Sequence, residues 1–174
     1  MTIDWTLLDS GFAIKAQNLI NLCDAQGFTM VPYCGLRTLT EEAKLWRQSR
    51  QTKEISQKIQ SLIALNAPYL AQIIINVGPQ PDGPWKTDTI PGLSWHNWGQ
   101  AIDLYWQLPD GSINWDGKAQ GYQVLGELAT ANGLKWGGDF TDPDWDHVQL
   151  NQQEIPDLYS LKYVNDYFKE KSLT

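Results

Sequence analysis

The sequence predicts an α+β fold in which a small, mostly antiparallel sheet is flanked by helices. Segments with the helical spacing of apolar residues dominate both ends of the chain. Segments that alternate like strands are few, short and unevenly spaced. This distribution does not fit a doubly wound parallel sheet, which needs strands and helices in regular alternation.

The first helix is predicted from Ser10, as N-cap, to about Ala25, where Gly27 follows as a stop signal. Its expected apolar positions are Ile14, Leu19, Ile20 and Leu22. Residues 28–36 then indicate a strand, and Pro32 within it is typical of an edge strand or a bulge. These elements would form one side of the core.

Two further helical segments are predicted before the middle of the chain. Thr40 opens the first, with Glu41 and Glu42 placed favourably for the helix dipole. Residues 53–77 form the second, with an interruption at Asn66-Ala67-Pro68, because proline disfavours a helical conformation in the residue before it. The Pro- and Gly-rich residues 78–92 predict a long loop, and long loops in compact domains are often functional.

The second half of the chain predicts alternating short strands and helices. The expected elements are a strand over 101–108, a turn over 109–112, a helix over 120–131 closed by Asn132-Gly133, a strand over 146–150 and a helical tail over 155–171. The two strands would carry or border the polar segments discussed below.

Length and charge limit the classes of function. A chain of 174 residues fits a single domain, residues 1–174, whose C-terminal helical tail begins at about residue 152. The formal net charge of -7 argues against nucleic-acid binding, which depends on clustered Lys and Arg. Nine tryptophans supply large apolar area for packing or for the walls of a ligand groove.

Cys23 and Cys34 do not form a disulfide framework, and we expect two thiols, one on the first helix and one on the following strand. Outside any CxxC pattern, they are not predicted to bind zinc. The N-terminus lacks the features of a signal peptide, and no stretch is apolar enough to span a membrane. We therefore expect a protein made in the cytoplasm, which would reach a cell wall only after release or export by another system. We also expect it to be a monomer.

The two histidines of the chain lie in short, polar segments flanked by tryptophan, SWHNWGQAID (94–103) and DWDH (144–147). Catalytic zinc favours imidazole and carboxylate ligands, with one position left open for water. His96 and Asp103 could meet at one ion if the chain turns at Gly99, and His147 could complete the set from a neighbouring strand. On these residues alone, a structural metal or ordinary hydrogen-bonded side chains remain equally open interpretations.

A carboxylate beside such a metal could act as a general base. Asp144 and Asp146 are the local candidates. We predict Asp144, because Asp146 neighbours His147 on the expected strand and should point to its opposite face.

The segment SWHNWGQAID resembles the SxHxxGxAxD motif of the LAS metallopeptidases (the M15 family), and DWDH resembles their second motif, a carboxylate three residues before a zinc histidine. This family contains D-alanyl-D-alanine dipeptidases and carboxypeptidases and phage L-alanyl-D-glutamate endolysins. PGLS (91–94), WGGD (136–139) and GLRT (35–38), which is followed by Glu41-Glu42, are similar to segments of the endolysin branch. The likeness runs from about Phe28 to Gln149.

The resemblance implies one zinc ion, bound by His96, Asp103 and His147. It gives Asp144 the general-base position, and it gives Arg37 the role of stabilising the oxyanion. Alternatively, Arg37 forms an ion pair with Glu41 or Glu42.

Ser94 matches a serine that contacts the substrate backbone, although it could instead cap the turn before His96. Trp85, Trp95 and Trp98 could line a groove for a peptide, or they could pack around the loop. Of these three we predict Trp95 as a substrate-binding residue.

The function implied by the resemblance is zinc-dependent hydrolysis of peptidoglycan stem peptides. Asp144 and the resemblance of the segment WKTDTIPGLSWHNWG (85–99) favour an endolysin-like L-alanyl-D-glutamate endopeptidase. A D-alanyl-D-alanine carboxypeptidase or dipeptidase is the alternative within the family. A zinc-containing module that binds a peptide or glycan without turnover is the alternative outside it. Such a module would tend to lose Asp144 or Arg37, and both residues are present.

Overall fold

The structure is a computed structural model and describes residues 3–79 and 83–172. The helices in chain order are α1 (Ser10–Ala25), α2 (Leu39–Arg47), α3 (Thr52–Ala64), α4 (Pro68–Asn76), α5 (Gln120–Ala131), α6 (Ile155–Leu158) and α7 (Leu161–Lys171). The strands are β1 (Thr29–Cys34), β2 (Ala101–Gln107), β3 (Ile113–Asn114), β4 (Lys135–Trp136) and β5 (His147–Gln149). The predicted α+β class is confirmed.

Contacts within the chain define two compact units, which are described separately. The sheet unit comprises Met1–Leu36 and Trp98–Gln152, and the helical unit comprises Arg37–Asn97 and Gln153–Thr174. The first contains all five strands with α1 and α5, and the second contains α2, α3, α4, α6 and α7. The single peptidase domain expected over residues 1–174 stays a prediction.

The sheet has the strand order β1-β2-β5-β4, with β3 added beside β2, and each of its strand pairs is antiparallel. Helices α1 and α5 supply the apolar side chains that pack on it. The fully buried members of this core include Phe12, Leu19, Ile102, Leu104 and Leu125. Burial of this apolar surface is the main force that holds the sheet in place.

Helix α1 has the predicted bounds, but its N-cap is Asp9 rather than Ser10. The Asp9 carboxylate accepts a hydrogen bond from the Phe12 amide at 2.9 Å. The buried face of α1 runs through Phe12, Ala16, Leu19 and Cys23, whereas Ile14 is 69% exposed. The prediction of Ile14 as a core position was wrong because it lies off this face, on the solvent side of the helix.

Strand β1 lies at one end of the sheet, and its register with β2 shifts between Pro32 and Cys34. The predicted edge strand or bulge at Pro32 is therefore confirmed. Proline has no amide hydrogen to donate to a neighbouring strand. It is tolerated at an edge or a bulge because no such hydrogen bond is needed there. The shift brings Cys34, rather than Tyr33, opposite Asp103 on β2.

Helix α2 of the helical unit begins two residues earlier than predicted. Thr38, not Thr40, caps α2, and it forms a capping box with Glu41. The break between α3 and α4 falls where expected, with Asn66 in the left-handed conformation and Pro68 in the first turn of α4. A proline is favourable there because its missing amide hydrogen has no partner within the helix.

The C-terminal tail is helical, as predicted, but it is divided into α6 and α7 at Tyr159-Ser160, where the Ser160 side chain caps α7. Residues 83–92, the described end of the predicted long loop, contain neither helix nor strand, and residues 80–82 lie outside the described residues. Among the described helices, none combines the length and the apolar character needed to cross a membrane.

Candidate metal centre

Strands β2 and β5 bring two of the predicted metal ligands together. In their antiparallel register, Asp103 is the direct partner of His147. The His147 Nδ1 atom lies 3.1 Å from an Asp103 carboxylate oxygen, and both residues are 7% exposed. An imidazole nitrogen and a carboxylate oxygen that converge in a buried position are a donor set that suits zinc. The donor atoms of Asp103 and His147 in the sheet unit therefore suit the zinc ion that the sequence predicts.

Gln149 supports His147 from the same strand. Its side-chain oxygen lies 3.0 Å from His147 Nε2, and its amide nitrogen donates a hydrogen bond of 2.8 Å to the Asn151 carbonyl. Sequence analysis missed this residue. The available signal was its position two residues after His147, which places both side chains on one face of a strand.

The segment before β5 is anchored on Gly137. The Asp144 amide donates to the Gly137 carbonyl at 2.9 Å, and the His147 amide donates to the Asp144 carbonyl at 3.1 Å. A Cβ atom on residue 137 would lie 2.3 Å from the Asp144 carbonyl oxygen and 2.9 Å from the His147 Cβ. The first glycine of WGGD thus allows the chain carrying Asp144 to pass close to the sheet. Asp144 itself is exposed.

Asp146 does not occupy the position that the strand argument gave it. It lies in a turn before β5, where side chains need not alternate, and its carboxylate accepts a hydrogen bond from the Tyr33 hydroxyl. Burial, together with a hydrogen bond to Asp144 and the negative charge of Asp103, raises the pKa of Asp146 to about 7. The stated reason for excluding Asp146 was therefore wrong, although the role predicted for Asp144 stays a prediction.

Tyr33 is a second residue that sequence analysis missed. Burial and the charge of Asp103 raise the pKa of its hydroxyl, which therefore remains protonated and can donate to Asp146. Its ring meets the exposed Trp115 ring edge to face, with 5.8 Å between the centroids. Nothing local in the sequence identifies Tyr33, because its contact with Asp146 depends on how distant strands are arranged.

Cys23 and Cys34 lie on α1 and β1, as predicted, and no disulfide joins them. Burial raises the pKa of the Cys23 thiol to about 12. Cys34 differs, because its sulfur and an Asp103 carboxylate oxygen lie within 4.8 Å of each other. No local pattern predicts a thiol beside Asp103, since only the register shift in β1 places it there.

The helical unit holds the other predicted site residues. Arg37 forms a 3.1 Å ion pair with the fully buried Glu42, which is one of the two partners considered from sequence. The Arg37 amide donates to the His96 carbonyl at 3.2 Å, and the Asn97 side chain donates to the Arg37 carbonyl at 2.9 Å. These bonds hold the backbone of Arg37 against the segment that carries His96, which is 2% exposed.

Ser94 and Trp95 make contacts that favour the structural alternatives. The Ser94 hydroxyl accepts a hydrogen bond of 3.3 Å from the His96 amide, as a residue that caps the turn would. Trp95 is only 4% exposed, and its indole N–H donates to the Gln153 carbonyl at 3.1 Å. Packing within the helical unit therefore accounts for Trp95, and its contact with substrate stays a prediction.

Trp85 packs on a cation instead of forming an open wall. Its ring centroid lies 3.9 Å from the Arg50 guanidinium carbon, and the Trp46 ring lies 4.5 Å away on the same group. Arg50 also donates to the Thr87 carbonyl at 2.8 Å and to the Asp88 carboxylate at 3.1 Å. The packing alternative considered for Trp85 thus describes its observed contacts.

The structure therefore brings Asp103, His147 and the backbone of Asp144 together in the sheet unit. Gly99, at which the chain was expected to turn, has a positive φ of 68°. A side chain there would meet the Leu7 carbonyl oxygen at 3.0 Å. His96, Ser94, Trp95 and Arg37 belong to the helical unit.

The α+β fold and the buried His147–Asp103 pair are features expected of the metallopeptidase that the sequence predicts. Residues 87–150 match the sequence model of a peptidase family described as D-alanyl-D-alanine carboxypeptidase. That segment includes His96, Asp103, Asp144 and His147, and therefore both of the motifs that resemble those of the M15 peptidases. M15 peptidases are metallopeptidases that hydrolyse peptide bonds.

Among curated proteins, the chain is similar to the peptidoglycan L-alanyl-D-glutamate endopeptidase CwlK of Bacillus subtilis (strain 168). The two are 40% identical over 68 residues, which are 34% of this chain and 40% of the Bacillus protein. The likeness therefore spans less than half of that relative.

Solved structures resemble the chain at lower identity. The L-Ala D-Glu endopeptidase ChiX of Serratia marcescens is 17% identical, with a TM-score of 0.45, over 84% of this chain and 83% of that one. A vancomycin resistance D,D-pentapeptidase VanY variant from a VanB-type cassette, in complex with Zn(II), is 16% identical, with a TM-score of 0.47, over 96% of this chain and 84% of that one.

Proposed function

We propose that the protein is a zinc-dependent peptidase that hydrolyses the stem peptides of bacterial peptidoglycan. The observation that carries the proposal is the buried contact between His147 and Asp103, in a segment that matches the M15 peptidases. We propose His96 as the third ligand, because it completes the first of the two family motifs. The protein would act as a monomer with one zinc ion, on a wall that it reaches after release or export by another system.

A zinc ion at this site would lower the pKa of a coordinated water and polarise the peptide carbonyl. Asp144 is exposed and held beside His147 by the Gly137 turn, which suits a base that must reach both water and substrate. It would accept the proton from the attacking water and return it to the leaving amine.

Arg37 would donate hydrogen bonds to the oxygen that becomes negative during attack. Its ion pair with Glu42 fixes the guanidinium at one end, and a positioned donor stabilises developing charge without first having to reorganise. Ser94 would contact the substrate backbone, as the family motif implies. Trp95, being buried, would act mainly by supporting the segment that carries His96.

Within this class we propose cleavage between L-alanine and D-glutamate. The support is the curated endopeptidase relative, which is 40% identical over its matched segment. A D-alanyl-D-alanine carboxypeptidase is the second candidate, because the matched family model carries that description. A D-alanyl-D-alanine dipeptidase and a binding module without turnover remain as outcomes of the experiment.

The experiment is digestion of purified peptidoglycan, with products identified by mass spectrometry, by the wild type and by Asp144→Ala and His147→Ala. We expect peptides split between L-alanine and D-glutamate from the wild type only. Asp144→Ala should retain zinc while losing at least a hundredfold in turnover, because the base is removed and the ligands are kept. His147→Ala should lose both zinc binding and peptidase activity.

Each other result has a defined meaning. Release of terminal D-alanine from the wall would establish the carboxypeptidase, and cleavage of free D-alanyl-D-alanine alone would establish the dipeptidase. Zinc binding without any cleavage would leave the binding module. Full activity in Asp144→Ala would remove Asp144 from the mechanism.

A further inference from the structure

Gln149 occupies a position that the proposed reaction does not use directly. It is 2% exposed on β5, and its backbone pairs with Ala101 of β2 on one side and with Lys135 of β4 on the other. A residue held between two strands has little freedom to move. Its polar side chain is therefore buried at a fixed point beside His147, where it must satisfy its hydrogen bonds.

The orientation of the Gln149 amide follows from its second partner. The amide nitrogen lies 2.8 Å from the Asn151 backbone carbonyl, which can only accept a hydrogen bond. Asn151 is in turn held by a hydrogen bond of 2.7 Å from its own amide nitrogen to the Gln100 side-chain oxygen. The oxygen of Gln149 is thus the atom that faces the imidazole, 3.0 Å from His147 Nε2.

This orientation determines the tautomer of His147. An amide oxygen can only accept, so Nε2 of His147 must carry the hydrogen. In a neutral imidazole the lone pair is then on Nδ1, which lies 3.1 Å from the Asp103 carboxylate oxygen. Two acceptors that face each other in a buried position require a positive charge between them, either a proton or a metal cation, and a metal cation would bind the Nδ1 lone pair.

We propose that Gln149 is a positioning residue that fixes His147 in the Nε2-protonated tautomer, so that Nδ1 is its metal-binding atom. The inference rests on the proposed zinc site and adds to it the identity of the ligand atom and of the residue that selects it. Partners of this kind orient ligand histidines in metal sites, and their removal typically weakens metal binding 10–100-fold.

The test compares zinc dissociation constants, measured by competition with a chelating dye, for the wild type, Gln149→Met and Gln149→Glu. Methionine keeps the length of the side chain but removes the acceptor, and we expect about 10–100-fold weaker binding. Glutamate keeps an acceptor toward Nε2 and should restore most of the affinity. Gln123→Met is the matched control, since it makes the same change at an exposed position of α5 outside the network around His147, and it should bind zinc like the wild type.

A second measurement needs no variant. Nitrogen-15 spectra of the zinc-loaded wild type, in which only two histidines contribute, should show His147 protonated at Nε2 and metal-bound at Nδ1. Zinc bound through Nε2, or unchanged affinity in Gln149→Met, would overturn the inference while leaving the peptidase proposal intact. A wild type that binds no zinc would overturn the proposed function itself.

Discussion

At the scale of single residues, the candidate metal centre includes a closely packed glycine, Gly137. A Cβ atom added at Gly137 would collide with the carbonyl oxygen of Asp144 and with the Cβ atom of His147. The φ of Gly137 does not lie in the left-handed region, so an alanine there would be opposed by the close contacts rather than by backbone strain. A Gly137→Ala substitution therefore tests steric crowding at this position without adding backbone strain.

Gly137→Ala should displace the chain around Asp144 and destabilise the protein by about 1–3 kcal/mol, the usual cost of overpacking a close contact. Zinc affinity should fall as well, because the contact that moves includes His147. Thermal unfolding and zinc titration of the purified variant would measure the two effects.

Gly11→Ala is the control for this substitution. Gly11 lies in the first turn of α1, where a Cβ atom would be 3.4 Å from an Asp9 carboxylate oxygen, an ordinary van der Waals contact. Alanine there should be neutral or stabilising, because it favours the helix. If Gly137→Ala were as stable as Gly11→Ala and bound zinc normally, the close approach would have no importance for the site.

At the scale of elements, the loop after α4 is fixed by one cation. Arg50 is 5% exposed and lies against the rings of Trp46 and Trp85, and it also bonds to Thr87 and Asp88. A guanidinium can stack on aromatic rings and donate in its own plane at the same time, which the ammonium of lysine cannot do. The described residues 84–88 thus depend on Arg50 for their order.

Arg50→Lys should therefore loosen this loop while the helices stay folded. The loss of stacking and of planar hydrogen bonds, on the order of 1.4 kcal/mol, corresponds to about tenfold more frequent local opening. The rate of trypsin cleavage after the exposed Lys86, followed by mass spectrometry, measures how often the loop opens. Lys53→Met, on an exposed position of α3, is the control, and an equal cleavage rate in all three proteins would contradict the role of Arg50.

Most elements could be predicted because their signals are local. The bounds of α1 and α5, the break before Pro68 and the bulge at Pro32 each depend on nearby residues of definite conformational preference. The errors at the helix starts arose where several capping residues stand close together, as with Asp9 and Ser10. The two-residue strands β3 and β4 were missed, since so short a segment has no period.

The site could be predicted only in part. His147 and Asp103 were identified because their motifs are distinctive, and the β2–β5 register then confirmed that they meet. The partners of the site were not identified. Tyr33 reaches Asp146, and Cys34 lies opposite Asp103, only because β1 pairs with β2 across a shifted register. Such contacts depend on strand pairing over long sequence distances, which local patterns do not specify.

At the scale of the whole molecule, the proposed peptidase activity depends on one zinc ion. The two compact units of the chain each carry part of the proposed machinery: Asp103, Asp144 and His147 in the sheet unit, and Arg37 and His96 in the helical unit. The net charge of -7 does not favour general attraction to an anionic wall. Recognition of peptidoglycan is therefore proposed to depend on the site rather than on general electrostatic attraction.

The most direct test is to remove metal from the wild-type protein with a chelator and to follow peptidoglycan hydrolysis as zinc is returned. We expect no cleavage by the metal-free protein. As zinc is returned, the rate should rise linearly and saturate at one equivalent of zinc per chain. His147→Ala, treated in parallel, should remain inactive throughout. Undiminished hydrolysis by the metal-free wild type, or no recovery with any amount of zinc, would contradict the account.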